Sequence, residues 1–185
     1  MDKNVILAVV GLPGSGKTEV VNYLVNKTGW SKVYFGDATF EEMKKMSLEI
    51  NEINERKTRE EIRKKLGMAA YAILNLPKIK ELIHKTSVIV ESLYSWEEYL
   101  EMQKNFGDKF KVLAVYASPE TRIERLANRP VRPLTRDDVI SRDRAQIENL
   151  HQAGPIAVSD FTIINEDDKD YLYVAVDRVL ERLAR

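Results

Sequence analysis

The sequence contains no cysteine, which excludes disulfides, thiolate catalysis and Cys-ligated zinc and fits a reducing compartment. Histidine is scarce too. His84 and His151 are the only two, and neither has the i, i+4 partner of a helical metal site, so both read as structural or exposed. An excess of charge is missing: 29 basic residues face 29 acidic ones, so no global field draws the chain onto nucleic acid or an anionic membrane. Long apolar runs are missing as well. The run Val5 to Val10 is far too short to span a bilayer, and a glycine-rich stretch stands where a signal peptide needs its cleavage region. A soluble, cytoplasmic protein, monomer or homodimer, is expected. Aromatic residues make up 8% and are scattered, with no base-stacking array for nucleic acid.

What is present is a globular composition, 44% hydrophobic and 31% charged over 185 residues, read as one domain spanning 1–185. Val5 to Val10 is continuous and mostly β-branched, the pattern of a central strand buried on both faces. Further strands are expected at Lys32 to Phe35, Thr86 to Val90, Lys111 to Tyr116 and Asp160 to Ile164. Helical spacing follows the first loop (Val20, Val21, Leu24, Val25) and closes at Gly29. Residues 41–65 carry 15 charged side chains and only sparse apolar ones, which predicts a solvated, mobile helical region. Capping boxes at Thr58, Ser95 and Thr135 and the Ser118-Pro119 pair predict four helix starts, the first of those helices running toward Pro77. A terminal helix spans Tyr171 to Leu183. Strands alternating with helices give an α/β fold: a five-stranded parallel sheet between two helical layers, with ligands at the strands' carboxyl ends.

Gly11-Leu-Pro-Gly14-Ser15-Gly16-Lys17-Thr18 matches GxxxxGK[ST] in full, directly after the best strand and before a clean helix. Its glycines let backbone N–H groups wrap phosphates, Lys17 reaches the β- and γ-phosphates, and the Thr18 hydroxyl suits Mg²⁺. Seven of the 13 arginines fall between 122 and 144. Arginine forks stabilise the charge spread over a transferring phosphoryl group. Arg129, Arg132 and Arg136 flank prolines between two helices and are the candidates for a mobile flap, whereas a solvated helix face accounts for Arg122 and Arg144. Asp37 and Glu91 stand at strand ends, where they orient an acceptor or hold Mg²⁺ through water; the alternatives are a helix N-cap and a surface carboxylate.

With Gly36-Asp37, Leu76-Pro77-Lys78-Ile79, Ala117-Ser118-Pro119-Glu120-Thr121-Arg122, Arg142-Asp143-Arg144 and Ser159 to Asn165 added, the chain resembles the largely archaeal P-loop kinases related to adenylate kinase and dephospho-CoA kinase. The resemblance implies the P-loop NTPase fold of nucleoside monophosphate kinases, a helical acceptor-binding region at 38–85 and a short lid at 129–142. It also implies ATP or GTP with Mg²⁺ as cofactors, the nucleotide on Gly11, Gly14, Ser15, Gly16, Lys17, Thr18, Arg125 and Arg129. Catalytic roles fall to Lys17, Arg129, Arg136 and Asp37; Asp37, Arg63 and Glu91 would hold the acceptor, and Thr18 and Glu91 the metal. The acceptor side departs from the pattern. Adenylate-kinase-like members follow Gly-Asp with an arginine and carry Asp-Gly-x-Arg after the third strand; this chain has Ala38 and Glu91-Ser92-Leu93-Tyr94. Arg56, Arg59 or Arg63 are the substitutes for that charge. The expected function is phosphoryl transfer to a small nucleotide-like acceptor, with dephospho-CoA kinase as the same-class alternative and a slowly hydrolysing nucleotide switch as the alternative from another class.

Overall fold

The computed structural model describes residues 4–184; residues 1–3 and 185 of the expected 1–185 domain lie outside the described residues. Five strands form one all-parallel sheet in the order β2-β3-β1-β4-β5: β1 Ile6–Val10, β2 Ser31–Tyr34, β3 Val88–Glu91, β4 Phe110–Tyr116 and β5 Phe161–Ile164. In register, Ile6 lies between Val88 and Phe110, so β1 is the centre of the sheet as its apolar run predicts. Strand alternation divides its side chains between two cores. Ile6, Ala8 and Val10 pack with α4 (Ala70–Ile83) and α5 (Trp96–Phe106), whereas Leu7 and Val9 pack with α1 (Lys17–Thr28) and α9 (Lys169–Leu183). The result is the expected α/β P-loop fold with helices on both faces.

The remaining helices are α2 Asp37–Lys45, α3 Glu52–Leu66, α6 Pro119–Ala127, α7 Arg136–Glu148 and α8 Ala153–Ala157. Ser95, Ser118 and Thr135 cap α5, α6 and α7 as their sequences predict, and Gly29 closes α1 in the left-handed region, its N–H bonded to Val25 O at 2.9 Å. Two expectations fail. Thr58 does not open a helix; it is buried inside α3, which starts at Glu52 behind the cap Asn51, whose side chain takes the Asn54 N–H at 2.9 Å. The earlier start is favoured by i, i+4 pairs, Glu55 with Arg59 at 3.2 Å and Arg56 with Glu60 at 3.0 Å, rather than by an apolar stripe. Pro77 does not end its helix either. α4 runs through it to Ile83, because Ile79 and Ile83 continue the buried face beyond the proline and offset the lost backbone bond.

The charged region 41–65 therefore resolves into two helices with one buried side. Met43 and Ile62 are buried, whereas Ile50 and Ile53 are more than two-thirds exposed around the α2–α3 turn. The short α8 has no expected counterpart; its Gly154 lets it close on the Trp96 ring, where a Cβ would collide.

Candidate functional site

The loop after β1 is shaped by backbone conformations that side chains resist. Gly11 sits at φ +145°, where a Cβ would run into the Val115 carbonyl, and Gly16 at φ +98°, where a Cβ would run into the Asn165 amide. Both approaches serve one arrangement. The Gly11 carbonyl accepts from Gln152 Nε2 at 3.0 Å, the Pro13 carbonyl from Arg122 Nη1 at 3.2 Å and the Ser15 carbonyl from Asn165 Nδ2 at 2.8 Å. Alternate carbonyls of the loop are thus drawn outward by side chains from three distant elements. The Leu12 carbonyl accepts from Lys17 Nζ at 2.9 Å.

Lys17 is partly buried, not the freely exposed side chain a surface lysine would be. Burial, followed by the nearby Arg122 guanidinium, pulls its pKa down to about 8, with Glu91 and Asp143 acting the other way. Assigning Arg122 to a solvated helix face is therefore wrong. It is 4% exposed, forks onto Asp143 of α7 at 2.9 and 2.6 Å and donates to the carbonyls of Ala117 and Pro13, so it ties α6, α7 and the loop together. Arg144 keeps the solvated role, 3.7 Å from Glu148.

The other basic residues sit differently. Arg125 donates to the Asn165 carbonyl at 3.0 Å, behind the loop. Arg129 donates to the Arg132 carbonyl within its own turn, and Arg136 is forked onto Glu120 at 2.8 and 2.5 Å. In this structure Arg129 and Arg136 are thus held by local partners between α6 and α7, where Leu134 and Val139 pack on Leu126.

Thr18, Asp37 and Glu91 line one open cavity together with Lys32, Tyr34, Ser92 and Tyr94. Asp37 is the first residue of α2, capped by Gly36, and lies 3.9 Å from Lys78; it makes no N-cap bond. Glu91 lies 3.4 Å from Lys32. Ser92, just after β3, takes a left-handed backbone at φ +69°. The carbonyl-gripped glycine loop fits a polyphosphate, and the oxygen donors of Thr18, Asp37 and Glu91 fit a hard divalent cation.

A second cavity of about 260 Å³ adjoins the first and shares Tyr34, Ser92 and Tyr94 with it. Its other walls include Phe40, Arg59, Arg63, Tyr71 and Gln146. The Arg63 guanidinium lies 5.1 Å above the Tyr71 ring, and the Tyr71 hydroxyl bonds Thr39 at 2.7 Å. Burial raises the pKa of Tyr34, Tyr71 and Tyr94, so these hydroxyls remain neutral. Beneath Tyr94, the fully buried Glu98 accepts from the backbone N–H groups of Tyr94 at 2.7 Å and Ser95 at 3.1 Å, and burial raises it to about 7.

Nothing local in the sequence marks Arg122, Gln152 and Asn165 as holding the loop. Asn165 ends the Ser159 to Asn165 stretch and was visible as a motif; Gln152 carries no local signal.

Fold and loop together define an α/β P-loop protein. The fold is similar to the solved structures of shikimate kinase from Bacteroides thetaiotaomicron (TM-score 0.61, 15% identity, 98% of this chain and 99% of that one) and of a gluconokinase from Sinorhizobium meliloti (TM-score 0.56, 16% identity, 99% and 97%). Residues 7–149 match the family described as AAA domain. A UPF0200 protein of Pyrococcus abyssi is 36% identical over 167 residues, 88% of either chain, and one of Pyrococcus furiosus is 32% identical over 182 residues, 96% of this chain and 97% of that one. The chain belongs to the UPF0200 family.

Proposed function

We propose that the protein is a phosphotransferase that moves the γ-phosphoryl group of ATP or GTP to a small acceptor. The observation that carries this reading is that the gripped glycine loop, Thr18 and two strand-end carboxylates open onto a second cavity bearing arginines. The similarity in fold to two proteins named as kinases supports it. The nucleotide phosphates would lie on Gly11, Gly14, Ser15, Gly16 and Lys17, with Arg125 and Arg129 near the remainder. Magnesium, held by the Thr18 hydroxyl and through water by Glu91, would neutralise phosphate charge.

Lys17 then exchanges the Leu12 carbonyl for phosphate oxygens, and Asp37 takes the acceptor's proton. Residues 129–142 act as the lid, with Arg129 and Arg136 leaving their local partners on closure. Residues 38–85, including Arg63, bind the acceptor with Asp37 and Glu91. The Asp160 to Asn165 stretch makes contacts within the fold: Asp160 accepts the Val112 N–H at 2.8 Å and Asn165 holds Ser15. Those contacts favour no particular acceptor. Incubation with γ-labelled ATP or GTP and a panel of nucleosides, nucleoside monophosphates and dephospho-CoA tests the reading. Label transferred to an acceptor faster than it is released as phosphate is the expected result; hydrolysis alone would favour the switch.

A further inference from the structure

We propose that the acceptor enters the cavity between α3 and α7 as a singly charged carboxylate, held by Nη1 and Nη2 of Arg63. This rests on the phosphotransferase reading and names the chemical class of its acceptor.

Arg63 is the one charged side chain lining the two joined cavities that has no ion-pair partner among the described residues. Arg59 is paired with Glu55 at 3.2 Å, Lys32 with Glu91 at 3.4 Å, and Asp37 faces Lys78 at 3.9 Å. The Nε of Arg63 is sealed by protein, so what a ligand meets is Nη1 and Nη2, which keep accessible surface and donate to no described residue. The guanidinium is also held in place. It lies 5.1 Å above the Tyr71 ring, and that ring is anchored by the bond of its hydroxyl to Thr39 at 2.7 Å. A guanidinium stacked on an aromatic face loses little freedom when its outer edge takes an anion, and its paired N–H groups match the two oxygens of a carboxylate.

One uncompensated guanidinium calls for one negative charge. A neutral acceptor leaves it unanswered. A phosphate dianion needs a second cation, and the other arginine on this wall, Arg59, can answer only by leaving Glu55, whose side chain is 19% exposed and would be stranded. One buried acid, Glu98, feels the Arg63 charge. It accepts from the N–H groups of Tyr94 and Ser95, and the groups that act on it are Arg63 of α3, Tyr71 of α4, Tyr94 before its helix and Glu97 within it. Burial keeps its proton up to about 7. Below that it is neutral and leaves the Arg63 charge to the ligand; above it, the carboxylate competes with the ligand. Behind the bound group, Tyr34, Phe40, Tyr71 and Tyr94 line about 260 Å³, room for a ring or a short chain.

Titration calorimetry without triphosphate, with benzamide, benzoate and phenyl phosphate as probes that share a ring and differ in charge, reads the cavity apart from turnover. Because the phosphate loop also takes anions, the readout is the share of each affinity that Arg63→Met removes. At pH 7, benzoate should lose about tenfold in this variant, and benzamide and phenyl phosphate clearly less. Arg63→Lys should restore part of the benzoate binding, and the melting temperatures should stay near that of the parent. From pH 6 to 8 the hold of the parent on benzoate should weaken, and Glu98→Gln should remove that weakening. A larger loss for phenyl phosphate than for benzoate, no loss for benzoate, or a pH profile that Glu98→Gln leaves unchanged would each overturn the inference. Label passing from γ-labelled ATP to a nucleoside monophosphate, with a KM that Arg63→Met leaves unchanged, would also overturn it and leave the phosphotransferase reading standing. Benzoate held through Arg63, with label only released as phosphate in the presence of a panel of hydroxy acids, would keep the site and overturn the phosphotransferase reading.

Discussion

The loop side of the site and the cavity side are built on opposite terms. Around the loop, backbone carbonyls have assigned donors, and the donors that reach Pro13 and Ser15 have further roles: Arg122 forks onto Asp143 and Asn165 also packs on Gly16. Across the shared wall Glu98 is a buried carboxyl with one free oxygen and α2–α3 exposes Ile50 and Ile53; buried polar atoms without a partner occur on both sides, Ser15 Oγ and Gln152 Oε1 by the loop, Arg63 Nε and Gln146 Oε1 by the cavity. A preformed cradle suits a ligand with one invariant part, a polyphosphate.

The most severe test of the loop side is Arg122→Ala. It strands the Asp143 carboxylate and releases the Pro13 carbonyl, so chemical denaturation should show a loss of about 3 to 5 kcal/mol. Adding Asp143→Ala should restore part of it. A loss under 1 kcal/mol would mean the loop does not depend on that clamp.

On the cavity side, Glu98 makes stability depend on pH. The native state keeps its proton up to about 7, whereas the unfolded chain releases it near 4.5. The contribution is therefore complete below 4.5 and is lost as pH rises toward 7, amounting to at most roughly 3 kcal/mol. Urea titrations of the parent and Glu98→Gln across pH 4.5 to 8 should show this slope in the parent and its absence in the variant.

Lys17→Ala should lower turnover or triphosphate affinity on the order of a hundredfold while leaving the melting temperature nearly unchanged, because it removes a charge that burial disfavours. In the parent, affinity should weaken as pH rises through about 8, where free Lys17 loses the proton that phosphate binding requires. Calorimetry in buffers of differing ionisation enthalpy should record proton uptake on binding at that pH. The smallest effect on stability is expected of Arg136→Ala, whose partner Glu120 is exposed. If the segment acts as a lid, kcat falls about tenfold with little change in nucleotide affinity.

The sheet, its central strand and the phosphate loop were legible because each has a local signature: a β-branched run, a fixed spacing of glycines, a cap. Asn51 was not read as a cap because the helix after it has charge pairs in place of an apolar stripe. The reach of Gln152 to Gly11 could not be read at all, because it depends on how α8 closes on Trp96. The inward turn of Arg122 escapes the sequence for a related reason. Its neighbours Glu120 and Glu124 look like a solvated helix face, and only the packing of α7 decides that the arginine turns inward.

Most of the second cavity is written in one uninterrupted stretch of chain between β2 and β3, whereas the grip on the loop draws on positions 11–17, 122, 152 and 165. The two halves therefore differ in how far apart in the chain their parts lie. A lineage could exchange the stretch from α2 to α4 and acquire a new acceptor in one event, but a change at Arg122 or Asn165 would need an answering change far away in the gene. On the proposed phosphotransferase reading, laboratory evolution of this chain should find new acceptors by recombination within 37–83 more readily than it finds a new phosphate donor.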